Sequence, residues 1–294
     1  MPHETAGFGR VQRLSWGEPI SNVDLAAAVA IRAADSPLIA IIEDHVYLEP
    51  DWAQIVIESF DAHPEIIGVG CALEIANKPA ALAWANHLFA LSKYTPPVDS
   101  GLVPRVSRHH VAYRTSWLLQ HDDELEALLP RGGGIIEHAA KEGGLFMASE
   151  ARLYHLSPSV WRPSLGIRVA SGRASGSRPR LQGGLFRKLA ASLHVPRIFW
   201  WRLRPQLKKY RRFRLRAMPI SLISLLLTAV ECYGYLLGVW AGPGEAEAII
   251  CGHEFHREND VRKADIRYIN QHWPVSGGGM PPSKPFDTTT TEAA

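Results

Sequence analysis

The tripeptide Glu43-Asp44-His45 concentrates side chains suited to chemistry. Two carboxylates offer hard oxygen ligands to a divalent cation, and the imidazole adds a nitrogen that Mn²⁺ accepts. A metal that bridges a diphosphate needs such a set, although the same residues also suit a polar strand end with no ligand. The second chemical signal is charge. Between Glu150 and Glu231 the sequence has no acidic residue and holds 17 of its 32 Lys and Arg, which leaves 15 basic against 29 acidic residues elsewhere. Segregation of this kind implies an anionic partner for the middle of the chain: phospholipid headgroups, a sugar diphosphate or nucleic acid.

Other chemistries are disfavoured. Cys71, Cys232 and Cys251 are odd in number, far apart and form no CxxC pair. That speaks against a disulfide framework or a structural zinc site and fits a reducing compartment. No signal peptide is expected, because the first thirty residues carry Arg10, Arg13, Glu18 and Asp24 and no apolar core.

The elements that must position the tripeptide follow from periodicity. A helix through Leu25, Ala28, Val29 and Arg32 ends at Ser36-Pro37. The apolar run Leu38–Ile42 reads as a strand buried on both faces, with the acidic cluster at its carboxyl end. A helix from near Asp51 presents Trp52, Ile55, Val56 and Phe60 on one side and stops before Pro64, and Ile66–Cys71 reads as a second buried strand. A strand-helix-strand unit of this length predicts parallel strands, with ligands bound outside their carboxyl ends. Further on, the pattern predicts helices over Ala80–Leu91, Thr115–Leu129 and Ile135–Glu142, and strands over His109–Tyr113 and Arg152–His155. Ser171–Pro179 reads as a flexible basic loop. Met218–Ala241 has 24 residues, apolar apart from small polar groups and Glu231. That length spans about 30 Å of hydrocarbon, while Glu231 costs on the order of 3 kcal/mol at a bilayer centre, so spanning and lying in the interface both stay open. The 11 Lys and Arg between Arg187 and Arg216 place the preceding segment on the cytoplasmic side.

The segment from Asp24 to Trp52, with its EDH motif and the Pro and Trp that come after it, resembles the acceptor half of the GT-A fold in family 2 glycosyltransferases. The likeness continues through Trp84-Ala85-Asn86, His109–Arg114, His155, Gly234–Gly238 and Glu254–Arg257, over roughly residues 20 to 265. The resemblance implies a role for each of several residues. Glu43 and Asp44 would face the nucleotide ribose and the metal-diphosphate. Asp44 and His45 would bind the metal, Mn²⁺ or Mg²⁺. The His109–Arg114 segment, with His110 and Arg114, would line the acceptor side, and His155 would lie near the diphosphate. Arg168 and Arg173 would offer bidentate contacts to the diphosphate, against the alternative of a solvated basic loop. The family's catalytic carboxylate falls on Arg131, Gly132 and Gly133, so Glu137 in the following helix is the candidate base.

The family's nucleobase-binding strand and helix have little room ahead of Leu38, which predicts a partial α/β GT-A sheet, parallel or mixed, with C-terminal membrane-associated helices. Leu38–Ile42 is expected at its centre, beside and parallel to Ile66–Ala72. The expected organisation is an irregular segment 1–20, a glycosyltransferase-like domain 21–180, a basic and apolar helical membrane region 181–265, and a disordered tail 266–294. The expected function is transfer of a sugar from a nucleotide-sugar donor at the cytoplasmic face of a membrane, weak or absent if the nucleotide half is missing. The expected partners are that donor, membrane lipid and a partner chain covering the incomplete sheet. A non-catalytic membrane-bound remnant is the second reading. A nucleic-acid binder ranks last, because the basic stretch leads directly into an apolar one, which favours lipid.

Overall fold

The computed structural model describes residues 23–130, 134–178, 183–210 and 217–272. The expected irregular N-terminus, Arg131 to Gly133 and the part of the expected disordered tail beyond His272 lie outside those residues. Over residues 266–272 that expectation is corrected, because the helix Lys263–His272 runs through them and buries Ile269. In chain order the elements are α1 (Val23–Ala33), β1 (Leu38–Ile42), β2 (Val46–Leu48), α2 (Trp52–Ala62), β3 (Gly68–Ile75), α3 (Ala81–Leu91), β4 (Gly101–Val103) and β5 (His110–Arg114). Then come α4 (Thr115–Gln120), α5 (Leu125–Leu128), α6 (Ile135–Glu142), β6 (Leu145–His155), α7 (Trp161–Gly176), α8 (Leu185–Leu193), α9 (Val195–Tyr210), α10 (Ala217–Ala241), α11 (Ala246–Phe255) and α12 (Lys263–His272).

The protein is a mixed α/β fold around one mixed sheet, with strand order β1-β5-β3-β6-β2 and β4 paired to the first half of β6. β1 and β3 do run parallel, as their crossover helix requires. They are not neighbours, however: β5 lies between them, antiparallel to both. Among the described residues β1 is therefore an edge strand and not the centre, and its residues are only partly buried. The centre is β3, buried along nearly its whole length between β5 and β6. Its small residues make this packing feasible, since a Cβ at Gly70 would lie 2.5 Å from Val106. α2 packs Trp52, Val56 and Phe60 on one face of the sheet, while Trp117, Leu118, Leu125 and Ile136 fill the other.

Three further expectations change. The segment Thr115–Leu129 is two short helices separated by a turn at Asp122–Glu124. β6 is an 11-residue strand and not a short one. Most of the expected loop Ser171–Pro179 is helical, because α7 continues to Gly176; Pro179 lies outside the described residues. Gly and Ser disfavour a helix in isolation, but here they let two backbones meet. A Cβ at Gly172 would lie 2.1 Å from the Glu231 carbonyl oxygen, and one at Gly234 would lie 2.2 Å from that of Val169. Gly176 and Gly238 repeat the contact one turn on. α10 is long and apolar enough to cross a membrane, with half of its most apolar window buried against the rest of the chain.

Candidate functional site

Register assembles the site. Ile42 at the end of β1 pairs with His110 at the start of β5, and Ile75 at the end of β3 pairs with His155 at the end of β6. Val46 at the start of β2 pairs with His155 from the other side. The carboxyl ends of β1, β3 and β6 thus meet the amino ends of β5 and β2 at one end of the sheet, where Glu43, His45, His109, His110 and His155 stand.

Glu43 is the hub. Its Oε1 lies 2.8 Å from His109 Nδ1, and its Oε2 lies 3.0 Å from His110 Nε2, 3.3 Å from His45 Nε2 and 3.4 Å from His155 Nε2. Burial by itself would raise the Glu43 carboxyl. The charges and hydrogen bonds of His109 and His110 outweigh it and hold the group well below the ordinary carboxylate range. Asp44 is placed differently from its expected role as a metal ligand. Asp44 and His45 form the turn between β1 and β2, which leaves Glu43 and His45 facing inward while Asp44 is 87% exposed. Its carboxylate accepts from His45 Nδ1 at 3.0 Å, which orients that ring. Burial disfavours the charged His45, yet its bonds to Asp44 and Glu43 prevail and raise its pKa.

A hydrogen-bond chain assigns the tautomer of His155. His87 Nε2 faces the Leu73 carbonyl at 3.2 Å and the Thr95 hydroxyl at 3.1 Å. That hydroxyl already donates to the Leu91 carbonyl, so both neighbours are acceptors and His87 Nε2 carries the proton. Burial pushes the pKa of His87 down to about 4, so the ring is neutral and its Nδ1 accepts from Ser157 Oγ. Ser157 Oγ in turn accepts from His155 Nδ1 at 3.1 Å. This leaves the lone pair of His155 on Nε2, facing the Glu43 carboxylate. Burial also holds the pKa of His155 well below its ordinary value. Two acceptors in contact favour a cation beside them.

The geometry fits a metal. Ligand atoms around an ion with bonds near 2.1 Å sit roughly 3.0–3.4 Å apart, which matches the Nε2–Oε2 separations around Glu43. His45 Nε2 and His110 Nε2 are buried and face Glu43 Oε2 from 3.3 and 3.0 Å without a well-aligned hydrogen bond, an arrangement that a cation replacing the ring protons would satisfy better. Glu43, His110 and His155 form one group able to hold a metal ion, and Glu43, His45 and Glu254 form another, with ligand atoms within 4.8 Å in each. The Nδ1 partners Ser107, Asp44 and Ser157 supply the outer hydrogen bonds that orient metal-binding imidazoles.

Glu43 sits between two cavities. One, of about 390 Å³, runs from Glu43, His109 and His155 to Arg168, Arg202 and Glu231 on the C-terminal helices. The other, of about 230 Å³, is lined by Ile41, Glu43, Asp44, His45 and Leu129. Glu254 borders both. In the first cavity Arg202 Nη2 lies 2.7 Å and Arg168 Nη1 3.9 Å from the Glu231 carboxylate, and both guanidiniums stack near Phe89.

The remaining sequence candidates stand apart. Arg114 donates to the carbonyls of Ile66, Phe60 and His63, so it ties α2 to β3 and does not line the acceptor side. Arg173 donates to the Gly242 carbonyl and caps the end of α10. Glu137 pairs with Arg105 at 2.6 Å on the surface of α6 and lines neither cavity. Sequence reasoning gave no role to His87 or Ser157, and none to Glu254 beyond its place in the quoted Glu254–Arg257 motif. The sequence signal for His87 is a polar side chain within the apolar run Ala81–Leu91. No protein-family model matches the chain, and no curated protein matches it in sequence.

Proposed function

We propose that the chain transfers a sugar from a nucleotide-sugar donor to an acceptor hydroxyl at the cytoplasmic face of a membrane. One observation carries this reading. Glu43, with the imidazoles of His45, His110 and His155, stands at the carboxyl end of a sheet, open to a cavity whose far wall is lined by arginines. A diphosphate is the ligand that uses both features. A divalent ion held there, Mn²⁺ or Mg²⁺, would supply positive charge against the leaving group. Of the two, Mn²⁺ suits a histidine-rich site better.

The chain's own groups have separable roles. Glu43 and the histidines would hold the cation, and Asp44, Ser107 and Ser157 orient the rings. Arg168 and Arg202 lie across the cavity, where an anionic leaving group gains from them. The bond from the anomeric carbon to the diphosphate breaks as the acceptor oxygen bonds to that carbon, and the hydroxyl proton passes to a base. Glu137 is outside the cavity. Of the carboxylates lining it, Glu43 is engaged by histidines, Glu231 by Arg202 and Glu254 by Arg257 at 2.6 Å. Glu254 borders both cavities, and on that placement it is assigned the role of base. The outer edge of β1 is unpaired among the described residues, and a partner chain covering it completes the sheet.

The test incubates the full-length chain with a panel of nucleotide sugars and follows nucleoside diphosphate release with and without Mn²⁺. Metal-dependent release that Glu43→Gln abolishes and Glu254→Gln lowers by about 10²–10⁴-fold supports the reading. A chain that neither binds nucleotide nor releases diphosphate is instead a non-catalytic binding protein. That second reading is favoured by the edge position of β1.

A further inference from the structure

We propose that α8, α9 and the outer face of α10 form one docking surface for an anionic lipid bilayer, with α10 lying along that bilayer and not crossing it. The inference rests on the reading that the chain works at a membrane, and it adds the surface, the orientation and the lipid charge.

The outer face of α10 is an apolar stripe. Met218, Leu222, Leu226, Tyr233 and Trp240 are exposed at helical spacing, over about 33 Å at 1.5 Å per residue. The opposite face is taken. Ile220 and Leu227 pack against α3, Gly234 and Gly238 meet the backbone of α7, and Tyr235 and Val239 pack against α8 and α9. Glu231, the ionisable residue of this helix, points inward to Arg202 and Arg168. A helix that crossed the hydrocarbon would carry these partners with it. α7 brings Arg162, Arg168 and Arg173, and a single Arg at the bilayer centre costs on the order of 3 kcal/mol. α7 cannot be peeled away to spare that cost without opening the backbone contact at the glycines. Lying in the interface buries the apolar stripe and leaves every arginine of α7 on the protein side.

α8 and α9 extend this surface. Leu185, Phe186, Leu189 and Leu193 of α8 are exposed. They adjoin the end of α10, where Lys188 sits over the Trp240 ring at 5.9 Å and Trp240 Nε1 donates to Ser192 Oγ. α9 exposes Arg197, Trp200, Trp201, Arg204 and Lys208 at intervals of one turn. With Lys93 and Lys209 these line an open groove of about 560 Å³ that has no acidic wall. Cations attract headgroup phosphates, and indole rings settle at headgroup depth. A protein partner would account for the apolar stripe but not for an acid-free basic groove. Nucleic acid would account for the groove but not for the stripe. An anionic bilayer accounts for both.

The test uses the full chain and vesicles of phosphatidylcholine alone or mixed 3:1 with phosphatidylglycerol. Binding to the mixed vesicles only is expected, weakened by at least about thirtyfold in the double variant Arg197→Glu/Arg204→Glu, since each lost surface cation contributes about fivefold and each added carboxylate repels the headgroups. Both side chains are exposed, and circular dichroism checks that the variant folds. Equal binding to neutral vesicles, an unaffected double variant, or displacement by duplex DNA overturns the proposal. Orientation is read by impermeant maleimide on sealed vesicles, with a cysteine introduced by Asp99→Cys or Glu245→Cys in a Cys251→Ser background. Labelling of both from the same side is expected, and labelling from opposite sides refutes an in-plane α10. Neither readout uses turnover, so failure of sugar transfer and failure of this proposal are told apart.

Discussion

Acid is expected to destabilise this protein through His87 before its carboxylates titrate. The ring is 1% exposed and neutral, with a pKa lowered from 6.5 to about 4 by burial. Between those values the unfolded chain binds a proton that the folded chain refuses, so stability falls as pH drops through this window. The full effect is about 3 kcal/mol, and by pH 4.5 about 2.5 kcal/mol has been lost. His155, also held low by burial, adds in the same direction. His45 has the opposite sign. Its raised pKa contributes stability that is present below its unfolded value and lost as pH rises through the folded one. Glu43 and Asp44, both lowered, lose their contribution only as pH falls through their own depressed values. Urea unfolding in mild detergent from pH 7.5 to 4.5 measures the slope, with His87→Gln for comparison. The variant should flatten the wild-type slope between pH 6.5 and 4.5. An unchanged slope, or a resonance of His87 titrating near 6.5, refutes the assignment of a neutral His87 and with it the tautomer of His155.

Mn²⁺ is expected to raise the unfolding temperature of the wild type and of Asp44→Asn but not of Glu43→Gln, and a chelator should reverse the gain. Thermal unfolding with and without metal decides this, and equal loss in both variants would return Asp44 to the metal. Gly234→Ala puts a methyl group 2.2 Å from the Val169 carbonyl oxygen. It should cost about 1–3 kcal/mol by denaturant unfolding, because neither backbone can yield without moving its whole helix. Arg114→Ala removes three bonds to carbonyls and the stacking on Phe60. It should cost about 2–3 kcal/mol while leaving metal binding intact. Glu137→Gln should leave any diphosphate release unchanged, and a large loss would bring the base back to α6.

Much of the first half of the chain was legible because its periods are clean. The run Leu38–Ile42, the face Trp52-Val56-Phe60 and the helix Ile135–Glu142 all form where their patterns place them. The position of β1 was not legible, because strand order depends on β5 slipping between β1 and β3, a pairing set far along the chain. The expected loop at Ser171–Pro179 failed for a related reason. Local propensity speaks against a helix rich in Gly and Ser, and the packing that overrides it comes from α10. Within the site, Glu43 to His45 was legible as a cluster but not its division into inward and outward groups, which is set by the turn that joins β1 to β2. His110 and His155 arrive beside Glu43 through strand register alone. Arg114 and Arg173 are drawn instead to carbonyl oxygens at element ends.

The glycine contact between α7 and α10 has a mechanical meaning. Helices that touch through side chains have slack, because rotamers adjust as one element slides. Here the atoms in contact are carbonyl oxygens and α-carbons over two successive turns, so the pair behaves as a single strut. One end of the strut faces outward through Leu222 and Leu226, and its inner side presents Glu231 and Arg168 to the cavity. A tilt imposed on α10 from outside would therefore reach the cavity wall undiminished. The residues that grip the surface and those that line the cavity are two sides of one rigid body.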